Sequence, residues 1–178
     1  MLFAHDTSLA LAGTAALVNT AAAPETLRTV GELAEFLDRW EWTGARAGDE
    51  AELEEVRALR SRLRELWEVD DERRVAIVNA LLRENGALPQ LVRHGTWSWH
   101  LHAMPDDAPL AARMAVESAM AMADVIRAGE TDRLATCAAP DCEGVVVDLS
   151  KNRSRKYCST ACTNRVAAAA YRARRHGD

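Results

Sequence analysis

The sequence predicts a mainly helical α+β protein, in which a helical N-terminal domain with a small β-hairpin precedes a compact cysteine-containing module. Apolar residues recur at three- and four-residue spacing through most of the first 130 residues, and one segment near residue 100 alternates every second residue instead. All four cysteines lie between residues 137 and 162. A chain of 178 residues has room for one domain and a small appendage. We place the boundary between residues 1–130 and residues 131–178, where the helical pattern stops.

Five helices are predicted from this spacing and from residues that favour helix ends. They are Leu9 to about Ala22, closed by Pro24; Thr29–Trp42; Glu50–Trp67; a helix capped by Asp70 that stops at Asn85-Gly86; and Ala108–Ala128, ended by Gly129. The third helix has the clearest amphipathic pattern. The core-facing positions predicted for the last three helices are Leu53, Val56, Leu59, Leu63, Leu66, Trp67, Val75, Val78, Leu82, Leu110, Met114, Ala121 and Val125.

The segment around residue 100 is predicted to be a half-buried strand. Trp97, Trp99 and Leu101 alternate with polar residues, and Leu91-Val92, before a His94-Gly95 turn, would form its hairpin partner. His100 and His102 would face the same side, where they are candidate effector-binding residues. A pocket between this hairpin and the helices is where we expect an effector. Histidines of this kind are more often ordinary surface residues, and the tryptophans are expected to be mostly core: Trp40, Trp42, Trp67, Trp97 and Trp99.

The net charge of −5 hides a division between the two parts of the chain. From Lys151 onwards there are eight Lys or Arg and one acid, a net of +7; residues 1–150 carry 14 basic and 26 acidic residues, a net of −12. Such a division indicates a partner for the basic part. No apolar run approaches the roughly 18 to 20 residues that a membrane-spanning helix needs.

The four cysteines follow the spacing Cys-x4-Cys-x15-Cys-x3-Cys, formed by Cys137, Cys142, Cys158 and Cys162. Disulfides would require an oxidising compartment. The segment from Ser8 to Ala23 resembles a signal peptide, but no Lys or Arg precedes it and Asp6 stands where positive charge belongs. We therefore predict a cytoplasmic protein with a metal site. Four thiolates satisfy tetrahedral zinc completely, so the predicted cofactor is Zn²⁺ in a closed structural site.

The predicted module is treble-clef-like, with a metal loop, a hairpin and a helix. Val145-Val146-Val147 would pair with a returning strand at Arg155-Lys156-Tyr157, and a helix beginning at Ser159 or Thr160 would carry the last ligands and extend to Arg175. About 40 residues cannot bury enough surface to fold alone, so metal binding would supply folding energy. Four reduced structural cysteines are the alternative, although these cluster in the least apolar part of the chain.

The segment Tyr157-Cys158-Ser159-Thr160-Ala161-Cys162-Thr163-Asn164-Arg165, after the first cysteine pair, resembles the CGNR zinc finger. Thr163 replaces the signature glycine of that family, whereas Cys162, Asn164 and Arg165 match it. The preceding 130 residues resemble the ABATE domain through Ala16-Leu17-Val18-Asn19-Thr20 and the helical layout. The resemblance implies a stress-response transcription regulator, and we include Asn19 of the matching segment among the candidate effector-binding residues.

The basic tail is the predicted nucleic-acid interface. On a helix from Thr160, Arg165, Arg172 and Arg175 share one face with small alanines between them, which suits contact with DNA. Two readings remain open for this surface: DNA binding, or an electrostatic clasp against an acidic domain or a protein partner. Arg165 would either read bases or hold the shape of the finger. The candidate nucleic-acid-binding residues are Arg153, Arg155, Lys156, Asn164, Arg165, Arg172, Arg174 and Arg175.

No catalytic constellation is visible in the sequence, which contains no glycine-rich phosphate loop, His-Glu-x-x-His helix or Gly-x-Ser-x-Gly elbow. We therefore expect no enzymatic activity. The predicted function is a zinc-dependent DNA-binding regulator whose N-terminal domain senses an effector or mediates homodimerisation. The alternative is a zinc-stapled protein-interaction protein without a nucleic-acid role.

Overall fold

The computed structural model describes residues 3–93 and 98–176, with only the backbone described at His176. The elements follow one another as α1 (His5–Asn19), α2 (Val30–Arg39), α3 (Glu50–Glu68), α4 (Asp71–Glu84), β1 (Gln90–Val92), β2 (His100–His102), α5 (Leu110–Arg127), a 3₁₀ turn (Thr131–Arg133), β3 (Leu134–Thr136), β4 (Val145–Val147) and α6 (Thr160–His176). The mainly helical prediction with two small hairpins is confirmed.

Helix α5 lies at the centre of the helical part, where it packs against α1, α3 and α4. Its four predicted core positions, Leu110, Met114, Ala121 and Val125, are all buried. Alanines at neighbouring positions extend the apolar surface around much of its circumference, so several helices can pack against it at once. The prediction for α4 was partly wrong: Ile77, Val78 and Leu81 form its buried stripe, whereas Val75 is exposed.

Helix starts follow the capping chemistry of the sequence. The side chains of Thr29, Asp49 and Asp70 each accept a hydrogen bond from the backbone N–H three residues later, at the start of α2, α3 and α4. Helix α1 has no such side-chain cap and begins at His5, four residues before the predicted start. Within the described ranges, no helix is long and apolar enough to cross a membrane.

The first hairpin pairs β1 with β2 in antiparallel orientation, which confirms Leu91-Val92 as the hairpin partner, and its register places Leu91 opposite Leu101. The predicted turn at His94-Gly95 and Trp97 lie outside the described residues. Trp99 is 63% exposed, so its assignment to the core was wrong. Trp42 and Trp67 are buried as expected, and Trp40 is half-buried.

The second hairpin differs from the prediction because β4 pairs with β3, and Arg155-Lys156-Tyr157 forms no strand. The buried carboxylate of Asp148 accepts hydrogen bonds from the backbone N–H groups of Ser150 and Arg155, both at 2.8 Å. Burial alone would raise the pKa of Asp148, but these hydrogen bonds and that of the Ser150 hydroxyl lower it. The ionised Asp148 carboxylate therefore stabilises this segment as a loop. Because the Arg155 N–H donates to this carboxylate, it is not available to pair with β4 as a returning strand would require.

The β3–β4 hairpin packs directly on the helical part. Val145 and Val147 belong to the main hydrophobic core, whereas Val146 packs in a smaller cluster with Cys137 and Cys162. Successive side chains of a strand point to opposite faces, so β4 is shared by both clusters. The indole N–H of Trp67, on α3, donates to the Val146 carbonyl at 2.8 Å.

Asn19, the last residue of α1, attaches α1 to the start of β4. Its side-chain oxygen accepts from the Val145 N–H at 2.6 Å, and its amide nitrogen donates to the Val145 carbonyl at 2.9 Å. One side chain thus satisfies both backbone groups of a buried residue, as a neighbouring strand would.

Replacing Asn19 with alanine should lower the free energy of unfolding by about 2–3 kcal/mol, because both backbone groups of Val145 would lose their partner. Asn79→Ala, at an exposed position of α4, is the matched control and should change stability by roughly 0.5 kcal/mol or less. Urea unfolding followed by circular dichroism measures both variants. Equal stability of the two variants would contradict the role of Asn19.

Candidate functional site

Four sulfur atoms form the candidate metal centre. The Sγ atom of Cys142 lies 3.6 Å from those of Cys158 and Cys162, and the latter two are 3.7 Å apart. With Cys137, all four sulfurs lie within 4.8 Å of one another. Tetrahedral zinc, with bonds of about 2.3 Å to each sulfur, requires sulfur–sulfur separations of about 3.8 Å. The donor set and its spacing therefore fit a zinc-finger-type site, and all four predicted ligands converge.

Three local structures bring the sulfurs together. Cys137 follows β3, and its backbone N–H donates to the Gly144 carbonyl at 2.7 Å, which closes the loop that carries Cys142. Cys158 precedes α6 and Cys162 lies in its first turn, as the sequence predicts. The Ser159 hydroxyl accepts from the Cys162 N–H at 3.2 Å. Thiolates at a helix N-terminus gain from its positive dipole end.

The thiols influence one another's ionisation. Burial raises the pKa of Cys158 to about 12 and also raises that of Cys142. A hydrogen bond with Ser159 lowers the pKa of Cys162 to about 7. Four adjacent thiols cannot all ionise unless a cation compensates their charge. Binding of a metal must therefore release protons, and metal affinity depends on pH.

Gly144 lies directly against this centre. A Cβ at this position would lie 2.8 Å from the Cys158 sulfur and 3.2 Å from Oδ1 of Asn19. The first distance is too short for any side chain larger than hydrogen. Gly144 thus allows the metal centre, the β4 strand and α1 to approach one another.

Arg165 lies beside the metal centre. Its guanidinium Nη2 is 3.6 Å from the Cys162 sulfur and donates to the Pro140 carbonyl at 3.4 Å. Pro140 belongs to the loop between the first two cysteines, so this side chain connects α6 to that loop. The contacts correspond to the shape-holding reading of Arg165, one of the two readings left open by the sequence.

The other predicted nucleic-acid-binding residues fall into two groups. Arg153 forms an ion pair with Glu130 at 2.9 Å, and Arg155 donates to the carbonyls of Tyr157 and Cys158. Residues of the second group have exposed side chains with no ion pair among the described residues. They are Lys156, Asn164, Arg172, Arg174 and Arg175.

Helix α6 is exposed along most of its length. Every residue from Ala167 to Arg175 is exposed, including Tyr171 at 54%. The only half-buried or buried positions described in this helix are Cys162 and Val166, which pack beside the metal centre. The basic helix is therefore attached to the cysteine cluster at one end and presents its remaining surface to solvent.

A cavity of about 460 Å³ lies between the first hairpin and the helices, where the sequence analysis places an effector pocket. Both candidate histidines line it, and the Nε2 atoms of His100 and His102 are 3.1 Å apart. Nδ1 of His100 lies 2.8 Å from the Ser98 carbonyl. Asn19, by contrast, lies outside this cavity, and its amide contacts Val145.

Glu117, a carboxyl on the cavity wall, is not among the site residues predicted from the sequence. Desolvation by burial raises its pKa to about 7, against the field of Arg113. The guanidinium of Arg113 donates to the carbonyls of Ala108, Thr43 and Ala45, so its donors are used by the backbone. A signal was available in the sequence, because Glu117 is the only acid in the largely apolar stretch between Arg113 and Asp124 of α5.

The fold and the centre define a two-part protein, a helical domain with a C-terminal zinc-finger-type module. Residues 133–175 match the family model of the CGNR zinc finger, and residues 6–129 match that of ABATE, described as "Putative stress-induced transcription regulator". The second match covers more than half of the chain, so the protein belongs to the ABATE family and carries a CGNR zinc finger. The resemblance seen in the sequence is confirmed. No curated protein matches this chain.

Replacing Gly144 with alanine should weaken metal binding about 10- to 100-fold, because the new methyl group would displace the Cys158 sulfur. Competition with a chromogenic chelator measures this affinity. Gly31→Ala is the matched control, since its Cβ would meet nothing closer than the Thr29 hydroxyl at 3.9 Å. Unchanged affinity in Gly144→Ala would show that the centre tolerates displacement of this sulfur.

Proposed function

We propose that this protein is a zinc-dependent DNA-binding regulator whose N-terminal domain responds to an effector. The observation that carries the proposal is the exposed basic helix α6, which is attached at its N-terminal end to the four-cysteine centre. Membership of a family described as a transcription regulator supports the same function. We assign no catalytic step to the centre.

Zinc is the proposed metal because four thiolates in a compact tetrahedral set are the donors it prefers. Cys137, Cys142, Cys158 and Cys162 would hold it, and Arg165 would stabilise the Cys162 thiolate from outside the ligand set. Four protein ligands leave no open position for water, so the ion's role is structural. Held in this way, Cys158 and Cys162 would fix the direction in which α6 leaves the module.

DNA is the proposed partner of α6. Arg172, Arg174 and Arg175 have no carboxylate partner among the described residues, which argues against a clasp onto the chain's own acidic part. Small alanines between the arginines let the helix approach a groove closely. A helix of this length with so little packing is only marginally stable alone, and a partner surface would stabilise it. Arg165 contacts the Pro140 carbonyl and the Cys162 sulfur within the zinc module, so we do not include it in the proposed DNA interface.

Helix α1 is the proposed connection between the effector cavity and the DNA-binding module. Its first turns, including Asp6 and Ala10, line the cavity, and its last residue, Asn19, holds Val145 beside Gly144. A helix is stiff over its 15 residues, so a small shift at one end moves the other. Occupancy of the cavity would then alter how the metal module and α6 are presented.

Purified protein should bind one zinc per chain, with an affinity that rises with pH because thiol protons must leave before the metal binds. Titration against a competing chelator at pH 6.5 and 7.5 measures this dependence, and Cys142→Ser should weaken binding at both pH values. Ser61→Ala, on the exposed side of α3, is the control. A stoichiometry well below one, with four free thiols, would contradict the zinc site.

The triple variant Arg172→Ala/Arg174→Ala/Arg175→Ala should weaken binding to duplex DNA and reduce its salt dependence. Loss of three phosphate contacts lowers the slope of log affinity against log salt by about 3. Fluorescence anisotropy with a mixed-sequence duplex across a salt series measures both quantities.

The matched control for charge is Arg39→Ala/Arg73→Ala/Arg83→Ala, which removes three exposed arginines from the acidic helical part. This variant should keep the wild-type slope. Absence of DNA binding at low salt, or the same slope in both triple variants, would favour a protein partner for α6. Circular dichroism and zinc content establish that each variant retains its fold.

A further inference from the structure

We infer that the cavity beside the first hairpin binds a compact lipophilic organic cation. The inference rests on the proposed effector-binding role of the N-terminal domain and gives that effector a chemical class. It is independent of whether α6 binds DNA, and it can be tested without DNA.

The walls of the cavity are largely apolar and aromatic. Trp40 and Trp42 follow α2, Leu82 comes from α4, and Met120 from α5. Trp99 of the hairpin also lines the cavity and is 63% exposed, but the Arg93 guanidinium already lies over its ring, 5.3 Å from the centroid. A space of about 460 Å³ with such walls suits a small-molecule ligand, and faces of tryptophan rings attract cations.

The charges on the cavity walls are mainly negative. The carboxylates of Asp6, Glu41, Glu117 and Asp124 line it, whereas Arg127 is the one Lys or Arg among the described lining residues. The Arg127 side chain is 81% exposed and lies 3.5 Å from Asp124. Its charge is therefore directed towards solvent and is already compensated. An anionic ligand would meet uncompensated carboxylates, and a cationic ligand would meet complementary charge.

Among the carboxyls that line the cavity, Glu117 is the one whose ionised form a bound cation would stabilise most. It lies on the same face of α5 as Met120, Ala121 and Asp124, and no hydrogen bond or ion pair joins it to a described residue. Arg113, one turn away, is committed to three backbone carbonyls. A desolvated carboxylate without a partner is costly, and a bound cation removes that cost.

Proton release should accompany this binding. Because the pKa of Glu117 is raised to about 7, part of the protein carries the neutral acid at neutral pH, and the cation selects the ionised form. Asp106 and Arg113 act on this carboxyl through their fields. His100 and His102 share the cavity, so variants of Glu117 are needed to separate its contribution from those of other ionisable groups.

The test uses three probes of similar shape on the full-length zinc-loaded protein: cationic tetraphenylphosphonium, anionic tetraphenylborate and neutral triphenylphosphine oxide. Isothermal titration calorimetry at pH 6, 7 and 8 gives affinity and stoichiometry. Repeating the pH 7 titration in buffers of different ionisation enthalpy gives the number of protons released.

The cation is expected to bind one per chain, at least tenfold more tightly than the other probes. Its affinity should rise about tenfold from pH 6 to pH 8, with about half a proton released at pH 7. Glu117→Gln should weaken binding about tenfold at pH 8 and remove most of the pH dependence. Glu55→Gln, an exposed position on α3, is the matched control and should behave as wild type.

Three outcomes would overturn the inference: no binding of the cation to wild type, equal or tighter binding of the neutral or anionic probe, or full pH dependence retained in Glu117→Gln. Proton release is measured on the wild-type protein and needs no variant to fold. Failure of these measurements leaves DNA binding by α6 intact, and loss of DNA binding leaves the cavity result unchanged.

Discussion

Burial of β4 on both faces is the constraint on which the rest of the structure depends. Val145 and Val147 complete the core of the helical part, and Val146 packs against the cysteine cluster. A strand so enclosed cannot shift by one residue without exchanging the side chains that each side receives. The metal module and the helical part therefore have a fixed relation along this strand, although their family models match separate stretches of sequence.

Polar contacts around β4 reinforce the same relation. The Asn19 amide binds both backbone groups of Val145, and the Trp67 indole binds the carbonyl of Val146. Beyond β4, Arg133 donates to the carbonyls of Asp148 and Ser150, which ties the following loop to the 3₁₀ turn after α5. Because β4 pairs with β3 alone, no further strand is present among the described residues to bind the backbone groups along its other edge. The Asn19 side chain of the helical part supplies hydrogen bonds there instead.

The division of charge has a structural counterpart. The acidic part of the chain uses many of its arginines internally. Arg60 pairs with Glu25, Arg74 donates to two carbonyls at the C-terminal end of α3, and Arg113 donates to carbonyls of the segment after α2. The arginines of α6 beyond Arg165 are exposed and form no ion pair within the described residues, and Arg175 lies over the ring of Tyr171 on the same helix. Net charge does not distinguish arginines that bind groups within the protein from arginines exposed to solvent. The structure does distinguish them, and it shows α6 as the basic surface most available to a partner.

Local patterns in the sequence determined most of the helices, the caps at Asp70 and before Cys162, the first hairpin and all four metal ligands. These features depend on spacing and residue type within a few turns of chain, which the sequence displays directly. Only the tertiary structure decided three other features: which strand pairs with β4, the hydrogen bonds of Asn19 to Val145, and the absence of a hydrogen-bond or ion-pair partner for Glu117 among the described residues. Each depends on residues brought together from distant positions, such as Asn19 and Val145, 126 residues apart. The contact between Asn19 and Val145 arises from the packing of α1 against β4 and α5, so no local pattern in the sequence predicts it.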